Sequence, residues 1–411
     1  MKINKKCISI ALISIMVLVS MTGCATFENF KTGFIDKPQD NTATIQIGVY
    51  QPMTGSDSEA AELEIKGIEL AHEMYPTING KMIELVYADN ISDIYAAETA
   101  IKELIVKEPS VILGSYGSVY SMVAGEHIKE AKIPAIAVTN TNPLVTKNNE
   151  YYYRVCYVDS NQGDILAKYL LTEKKQKTAG VLLPKDDDAA MAMTTAFADR
   201  LKAETGNADA IKVYEEYTAG DKDFSAQLEI IKKSGVKSVL LPGDTLDSAN
   251  IIKQAKSMGI NVVFLGDYRW ADYEFMKKTD GAASENNMAF VNFYSADAES
   301  TEEAEKFLKA YHKKYGQDSV PADSVALGYD AYVIALDAIH KAGEDVTGES
   351  INNILSGQYH FHGASGVITF SSTGDPIKTA YISTWKNGGV ETLYTMDPNN
   401  EKPAKNKSDK K

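Results

Sequence analysis

The stretch Val111-Ile112-Leu113-Gly114-Ser115-Tyr116-Gly117-Ser118, running on through Val119–Lys132 to Ile133-Pro134-Ala135-Ile136-Ala137-Val138, decides the architecture. Three apolar residues ending in glycine read as a short strand, Val111–Gly114, buried on both faces. The Ser-Tyr-Gly-Ser loop then opens a helix over Val119–Lys132, and a second buried strand follows at Ile133–Val138. Strand, loop, helix and strand in succession make a βαβ unit. Its strands lie parallel because the helix carries the chain back to the same end of the sheet.

The same rhythm extends both ways. Upstream stand a strand at Ile45–Tyr50, a helical pattern over Glu59–Tyr75 and a strand at Met82–Asp89. An amphipathic helix follows at Ile94–Lys107, with Ala97, Ile101, Leu104 and Ile105 on one side. Downstream, strands at Thr178–Leu183, Ile211–Tyr217, Val236–Leu241 and Val262–Leu265 alternate with helices at Ala190–Thr205, Phe224–Ser234 and Leu246–Met258. Two such series predict an α/β protein with two doubly wound parallel-sheet lobes. A chain of 411 residues is also longer than one hydrophobic core usually serves. Helices at Thr301–Tyr315 and Asp323–Ala342 come next, then strand-like pieces at Gly366–Phe370, Thr379–Trp385 and Glu391–Thr395.

The N-terminus reads as an export signal. Lys2, Lys5 and Lys6 precede an apolar run from Ile8 to Val19, which is short for a membrane span, and Met21-Thr22-Gly23-Cys24 follows. Small residues just before a cysteine resemble the lipobox of bacterial lipoproteins, which makes Cys24 the expected lipidation site and residues 1–23 the signal peptide. Residues 24–43 read as a tether and 398–411, rich in lysine, as a disordered tail. With Cys7 in the signal and Cys24 acylated, Cys156 is left alone, a buried structural thiol with no disulfide partner. The net charge of −14 argues against nucleic acid as a partner, since phosphate binding needs clustered Lys and Arg.

In open α/β sheets, ligands sit beyond the carboxyl ends of the strands. The loop ending at Ser118 fits that role, because a hydroxyl and free N–H groups at a helix start suit a carboxylate. The competing reading makes Ser118 only a helix cap. In the loop after Val138, the Thr141 hydroxyl suits an anion and the Thr139 carbonyl an ammonium. Asp187, Asp244 and Asp267 each follow a strand and together would face a cationic group. No GxSxG, GxxxxGK[ST] or HExxH motif is present, so no enzyme, cofactor or metal is expected. His360 and His362 share a face with no third ligand nearby.

An ordered series of motifs then carries a family resemblance. Ile47-Gly48-Val49, Pro52-Met53-Thr54-Gly55, Gly67-Ile68-Glu69-Leu70-Ala71, Ile78-Asn79-Gly80-Lys81, Ile112-Leu113-Gly114, Thr141-Asn142-Pro143 and Arg154 through Gln162-Gly163 occur in turn. Leu265-Gly266, Trp270, Gly363–Phe370 and Gly374-Asp375-Pro376 extend the series. Together they resemble the branched-chain amino acid binding proteins of ABC importers, periplasmic or lipoprotein receptors for leucine, isoleucine and valine.

The resemblance implies a type I periplasmic binding fold with a three-strand hinge and closure around the ligand. It implies lobe 1 at 44–159 plus 289–360 and lobe 2 at 160–288 plus 361–397. It also implies that Ser118 and Thr141 hold a ligand carboxylate, Thr139 an ammonium, and Tyr116 the ligand's side chain. The acid that pairs with the ammonium falls at Tyr268, beside Asp267, and a tyrosine expected near Ala60 is missing. The expectation is therefore a monomeric, lipid-anchored solute-binding lipoprotein on the extracytoplasmic face of the cell membrane. It would capture an amino acid or similar small polar metabolite and deliver it to an ABC permease. The alternative is a surface lipoprotein that senses an amide, amine or aromatic acid and signals to a receptor.

Overall fold

The computed structural model describes residues 44–298, 301–357 and 360–396; the leader, Cys24, the tether and the tail at 398–411 lie outside the described residues. Strands β1 (Thr44–Gln51), β2 (Thr77–Ile78), β3 (Lys81–Asp89), β4 (Val111–Gly114), β5 (Ala135–Ala137) and β6 (Tyr152–Arg154) form a six-stranded sheet in the order β2-β3-β1-β4-β5-β6. Every pair is parallel except the short β2, which hooks antiparallel onto β3. Helices α1 (Ser58–Met74), α2 (Ile94–Ile105) and α3 (Ser118–Ala131) make the crossovers. Because helices cover both faces, β4 is buried along its whole length, which is why it reads as an uninterrupted apolar run.

The second lobe repeats the plan. Its elements are α4 (Asp159–Thr172), β7 (Ala179–Pro184), α5 (Asp188–Thr205), β8 (Ile211–Tyr217), α6 (Ser225–Ser234), β9 (Ser238–Leu240), α7 (Thr245–Ser257), β10 (Val263–Gly266), α8 (Tyr273–Lys278) and β11 (Met288–Asn292). The chain then leaves for α9 (Glu302–Tyr315), α10 (Asp323–Ala342) and α11 (Gly348–Leu355). A small antiparallel sheet follows, β12 (His360–Gly363), β13 (Gly366–Phe370) and β14 (Pro376–Lys378). The chain returns as β15 (Ala380–Lys386) and β16 (Gly389–Met396), completing a seven-stranded sheet in the order β16-β15-β11-β10-β9-β7-β8.

Close helix crossings in both lobes depend on glycine. Helix α10 lies against α1, where a Cβ on Gly67 would fall 2.0 Å from the Val325 carbonyl oxygen and one on Gly328 2.2 Å from that of Glu64. In the second lobe, α4 meets α5 at Gly163, whose Cβ would fall 2.0 Å from the Met193 carbonyl oxygen. Any side chain at these points must push the helices apart. One apolar cluster joins these helices through the hinge, taking in Ile47, Val325, Val155, Leu183 and Phe197.

Between the lobes the chain crosses after β6, after β11 and after β14. A buried lysine ties these crossings together. Lys378 Nζ donates to the Phe293 carbonyl at 3.2 Å and to Ser365 Oγ at 2.8 Å, while the Tyr157 hydroxyl donates to the Lys378 carbonyl. Asp330 of α10 accepts from Ser365 N–H and Ser365 Oγ, at 2.9 and 2.5 Å.

The structure moves two of the expected boundaries. Residues 288–292 pair with β10 and β15 and so belong to the second sheet, not to a first lobe resuming at 289. Residues 361–378 form the small sheet, attached to α10 of the first lobe through Asp330, and the second lobe resumes only at β15. Helix α4 also went unassigned from sequence. Its first turn, Asp159-Ser160-Asn161-Gln162-Gly163, has the composition of a loop and is helical because Gly163 packs on α5.

Candidate functional site

Strands β4 and β5 are hydrogen-bonded neighbours, and the loops that leave them carry Tyr116–Ser118 and Thr139–Thr141. Gly114 ends β4 at φ +108, where a Cβ would lie 2.2 Å from the Tyr50 carbonyl oxygen, so the turn into the first loop requires glycine. Gly117, at φ 80, takes the cap position of α3. Ser118 is thus the first helical residue, and the reading in which its hydroxyl serves as the helix cap does not hold: that cap makes no side-chain hydrogen bond. Instead Ser118 Oγ accepts the Asn142 N–H at 3.4 Å, linking the two loops, and the side chain stays half-buried.

The second loop is clamped from behind. Arg154, fully buried in β6, donates from Nη1 to the carbonyls of Asn140 at 2.5 Å and Asn142 at 2.8 Å, and from Nη2 to Thr146 Oγ1 at 2.9 Å. Its Nε lies 2.8 Å from Asp375 of the small sheet. The Thr139 hydroxyl turns inward to Glu64, so of its polar groups the backbone carbonyl is the one assigned to a ligand by resemblance. Thr141 adjoins Asp159, the first residue of α4. Its carbonyl accepts the Asp159 N–H at 3.2 Å, and its side chain favours the ionised form of the Asp159 carboxyl.

Asp159 is an acid that sequence reading passed over, because residues 159–177 carried no assigned element. Burial pushes its carboxyl up to about 6; Asp267 and Asp187 push the same way, while Thr141 and Arg269 oppose them. The hinge therefore places a carboxyl beside Thr141, within the influence of Asp187, Asp267 and Arg269.

The three second-lobe aspartates singled out from sequence all cap helices. Asp187 accepts the Ala190 N–H at 2.9 Å at the start of α5, and Asp244 accepts the Leu246 N–H at 2.7 Å at the start of α7. Asp267 accepts the Arg269 N–H at 3.0 Å, and Arg269 also pairs with its carboxylate through Nε at 3.0 Å and Nη2 at 2.6 Å. Arg269 Nη2 reaches the Gly243 carbonyl as well, at 2.8 Å. The Asp267 charge is thus matched within the protein by Arg269. Tyr268 stacks on Phe293 with ring centroids 4.5 Å apart, and its N–H donates to Gln162 at 3.3 Å. A preference for Asp at N-caps was the available signal for Asp187 and Asp244. Nothing in the sequence signalled the Arg269 pair.

Tyr116 stands where the lobes face each other. Burial raises its hydroxyl pKa above the usual phenol range; Glu64, Asp57 and Asp272 add to the effect, and Arg269 opposes it. Two of those neighbours, Arg269 and Asp272, come from the second lobe. Elsewhere, His360 and His362 are both exposed on β12, and His360 Nδ1 lies 2.6 Å from Thr369 Oγ1. Among the described residues no group of three or more His, Cys, Asp or Glu is arranged to hold a metal. Cys156 is fully buried, and burial pushes its thiol up to about 12.

Residues 44–390 match the profile of the periplasmic binding protein family. The chain belongs to that family. Its members are solute-binding proteins, not enzymes. Within it, the chain is 25% identical over 358 residues to Leu/Ile/Val-binding protein homolog 3 of Brucella melitensis, covering 85% of this chain and 94% of the relative. The leucine-binding protein LivK of Thermotoga maritima superposes with a TM-score of 0.73 at 31% identity, covering 86% of this chain and 99% of that one. The branched-chain amino acid binding protein LivJ of Streptococcus pneumoniae, solved with isoleucine, gives 0.72 at 28% identity over 86% and 99%. The branched-chain amino acid binding proteins are thus its relatives, and its lobes have their type I fold.

Proposed function

We propose that this chain is an extracytoplasmic solute-binding lipoprotein of an ABC importer, tethered through Cys24. In this reading it takes up a small zwitterion of the amino-acid class and hands it to a permease. The observation that carries it is the meeting of Ser118, Thr141 and Asp159 at one end of the cleft. Ser118 brings a hydroxyl and the free N–H groups of a helix start, which suit a ligand carboxylate. Asp159, beside Thr141, suits the ammonium that accompanies that carboxylate in an amino acid. The Thr139 carbonyl would share that ammonium. Tyr116 and the Arg269–Asp267 pair lie across from one another where the rest of the ligand would extend.

Closure brings the second lobe over the ligand and favours the compact state in proportion to the contacts made there. The second lobe brings the Arg269–Asp267 pair towards Tyr116, so the preference within the class is for a polar side chain. The test is a thermal-shift panel of the L-amino acids and their amide and amine analogues, backed by mass spectrometry of whatever co-purifies. Stabilisation by a polar amino acid supports the reading. Stabilisation only by compounds lacking either the carboxylate or the ammonium would refute it and favour the sensing alternative. Replacing Cys24 with Ala tests the anchor: the protein should leave the membrane fraction, and unchanged attachment would exclude lipidation there.

A further inference from the structure

Glu64 sits in α1, is not itself an expected ligand contact, and has a fully buried side chain. One carboxylate oxygen accepts from Thr139 Oγ1 and the other from Gln51 Nε2 at 2.8 Å. The Thr139 backbone N–H also favours the ionised form of this carboxylate. Gln51, fully buried at the end of β1, in turn accepts the Tyr116 N–H at 2.6 Å through its Oε1. The chain Thr139–Glu64–Gln51–Tyr116 therefore runs beneath the cleft from one binding loop to the other. All the partners named here donate to Glu64. A carboxylate only accepts, so its ionised form satisfies Thr139 and Gln51 together, whereas an amide in its place turns its NH2 on the Gln51 amide or requires the Thr139 hydroxyl to reverse and accept. Its position is fixed from the far side by α10, which touches the Glu64 carbonyl at Gly328.

We infer that Glu64 is a positioning residue that couples the Tyr116–Ser118 loop to the Thr139–Thr141 loop, holding both halves of the anion site in one geometry before ligand arrives. The inference rests on reading those loops as the binding site, but the coupling itself belongs to the ligand-free protein.

Residue-resolved amide exchange without ligand tests it. In Glu64→Gln, protection at both the Tyr116 and Thr139 amides should fall about tenfold or more, the scale of a lost hydrogen bond to a charged group. Protection at Val213 and Leu240 in the second lobe should stay within error. Gln51→Met should lower Tyr116 most and Thr139 to a lesser degree, because the lost amide also donates to Glu64. Thr139→Val, which removes one donor to Glu64, should lower protection at Tyr116 although the two residues are not bonded to each other. That variant decides the matter if Glu64→Gln does not fold. Unchanged Tyr116 protection in Thr139→Val, or a uniform loss across both lobes in Glu64→Gln, would overturn the coupling. Calorimetry of the wild type with each L-amino acid tests the binding reading separately. If none binds, that reading fails, while the exchange data still decide whether the loops are coupled.

Discussion

Both lobes are built from βαβ units and both draw their helices together over glycine, yet they meet the cleft with different chemistry. In the first lobe the polar groups at the strand ends are braced from within. Arg154 holds the backbone of one loop, Gln51 holds the other and Glu64 bridges them, while Ser118 and Thr141 remain half-buried. In the second lobe the aspartates at the corresponding strand ends serve their own helices as caps, and Asp267 is paired with Arg269 as well. A polar residue after a strand is thus a ligand candidate only when its hydrogen-bonding capacity is not already met by its own backbone. The proposed function accordingly gives the anchoring contacts to the first lobe.

The largest expected effect tests what the lobes share. Gly67→Val and Gly163→Val should each lower stability by about 3 kcal/mol or more, because the new side chain meets helix backbone that cannot give way. Differential scanning calorimetry reads this. A loss below about 1 kcal/mol in either variant would show that the crossing can relax.

The next effect separates the lobes. Ser118→Ala and Thr141→Val should weaken binding of the panel's best amino acid roughly 10- to 100-fold while moving the melting temperature little. If calorimetry finds affinity unchanged, the first lobe is not the anchor.

Asp159 lies between the two. Its carboxyl is raised from 3.8 to about 6, chiefly by burial, so the folded protein binds that proton more tightly than the unfolded chain. The contribution to stability is fully present below pH 4 and is lost as pH rises through about 6. Ligand-free Asp159→Asn should accordingly be more stable than wild type by about 1–2 kcal/mol at pH 7.5, with the gap closing towards pH 4. A gap that widens on acidification would reverse the assignment. The same variant should bind an amino acid more weakly, since the ammonium loses its partner.

The smallest effects belong to the caps. Asp187→Ala and Asp244→Ala should each lower stability by about 1 kcal/mol and leave affinity near wild type. Lost affinity with an unchanged melting temperature would return these acids to the ligand and erase the contrast between the lobes.

The alternation of apolar runs with amphipathic stretches lay open in the sequence, and so did the strand–loop–helix at 111–118 and the polar loop at 139–142, because each is a short-range pattern of a few residues. The Asp-rich loops were legible as helix starts, though not as paired or unpaired charges. Residues 159–172 and 288–292 escaped. The first looks polar until it packs on α5, and the second is a short strand whose place in the second sheet comes only from its neighbours β10 and β15.

By itself, then, the sequence determined the α/β class, the two series of strands and the loops at their carboxyl ends, since periodicity and turn chemistry act between near neighbours along the chain. Tertiary structure alone decided that residues 288–292 join the second sheet, that Asp267 is matched by Arg269, and that Asp159 stands against Thr141. It also decided that Thr139 and Glu64, 75 residues apart, share a hydrogen bond. Those facts depend on which surfaces exclude water together, and a buried charge or donor takes whatever partner the packing brings within reach, at any distance along the chain.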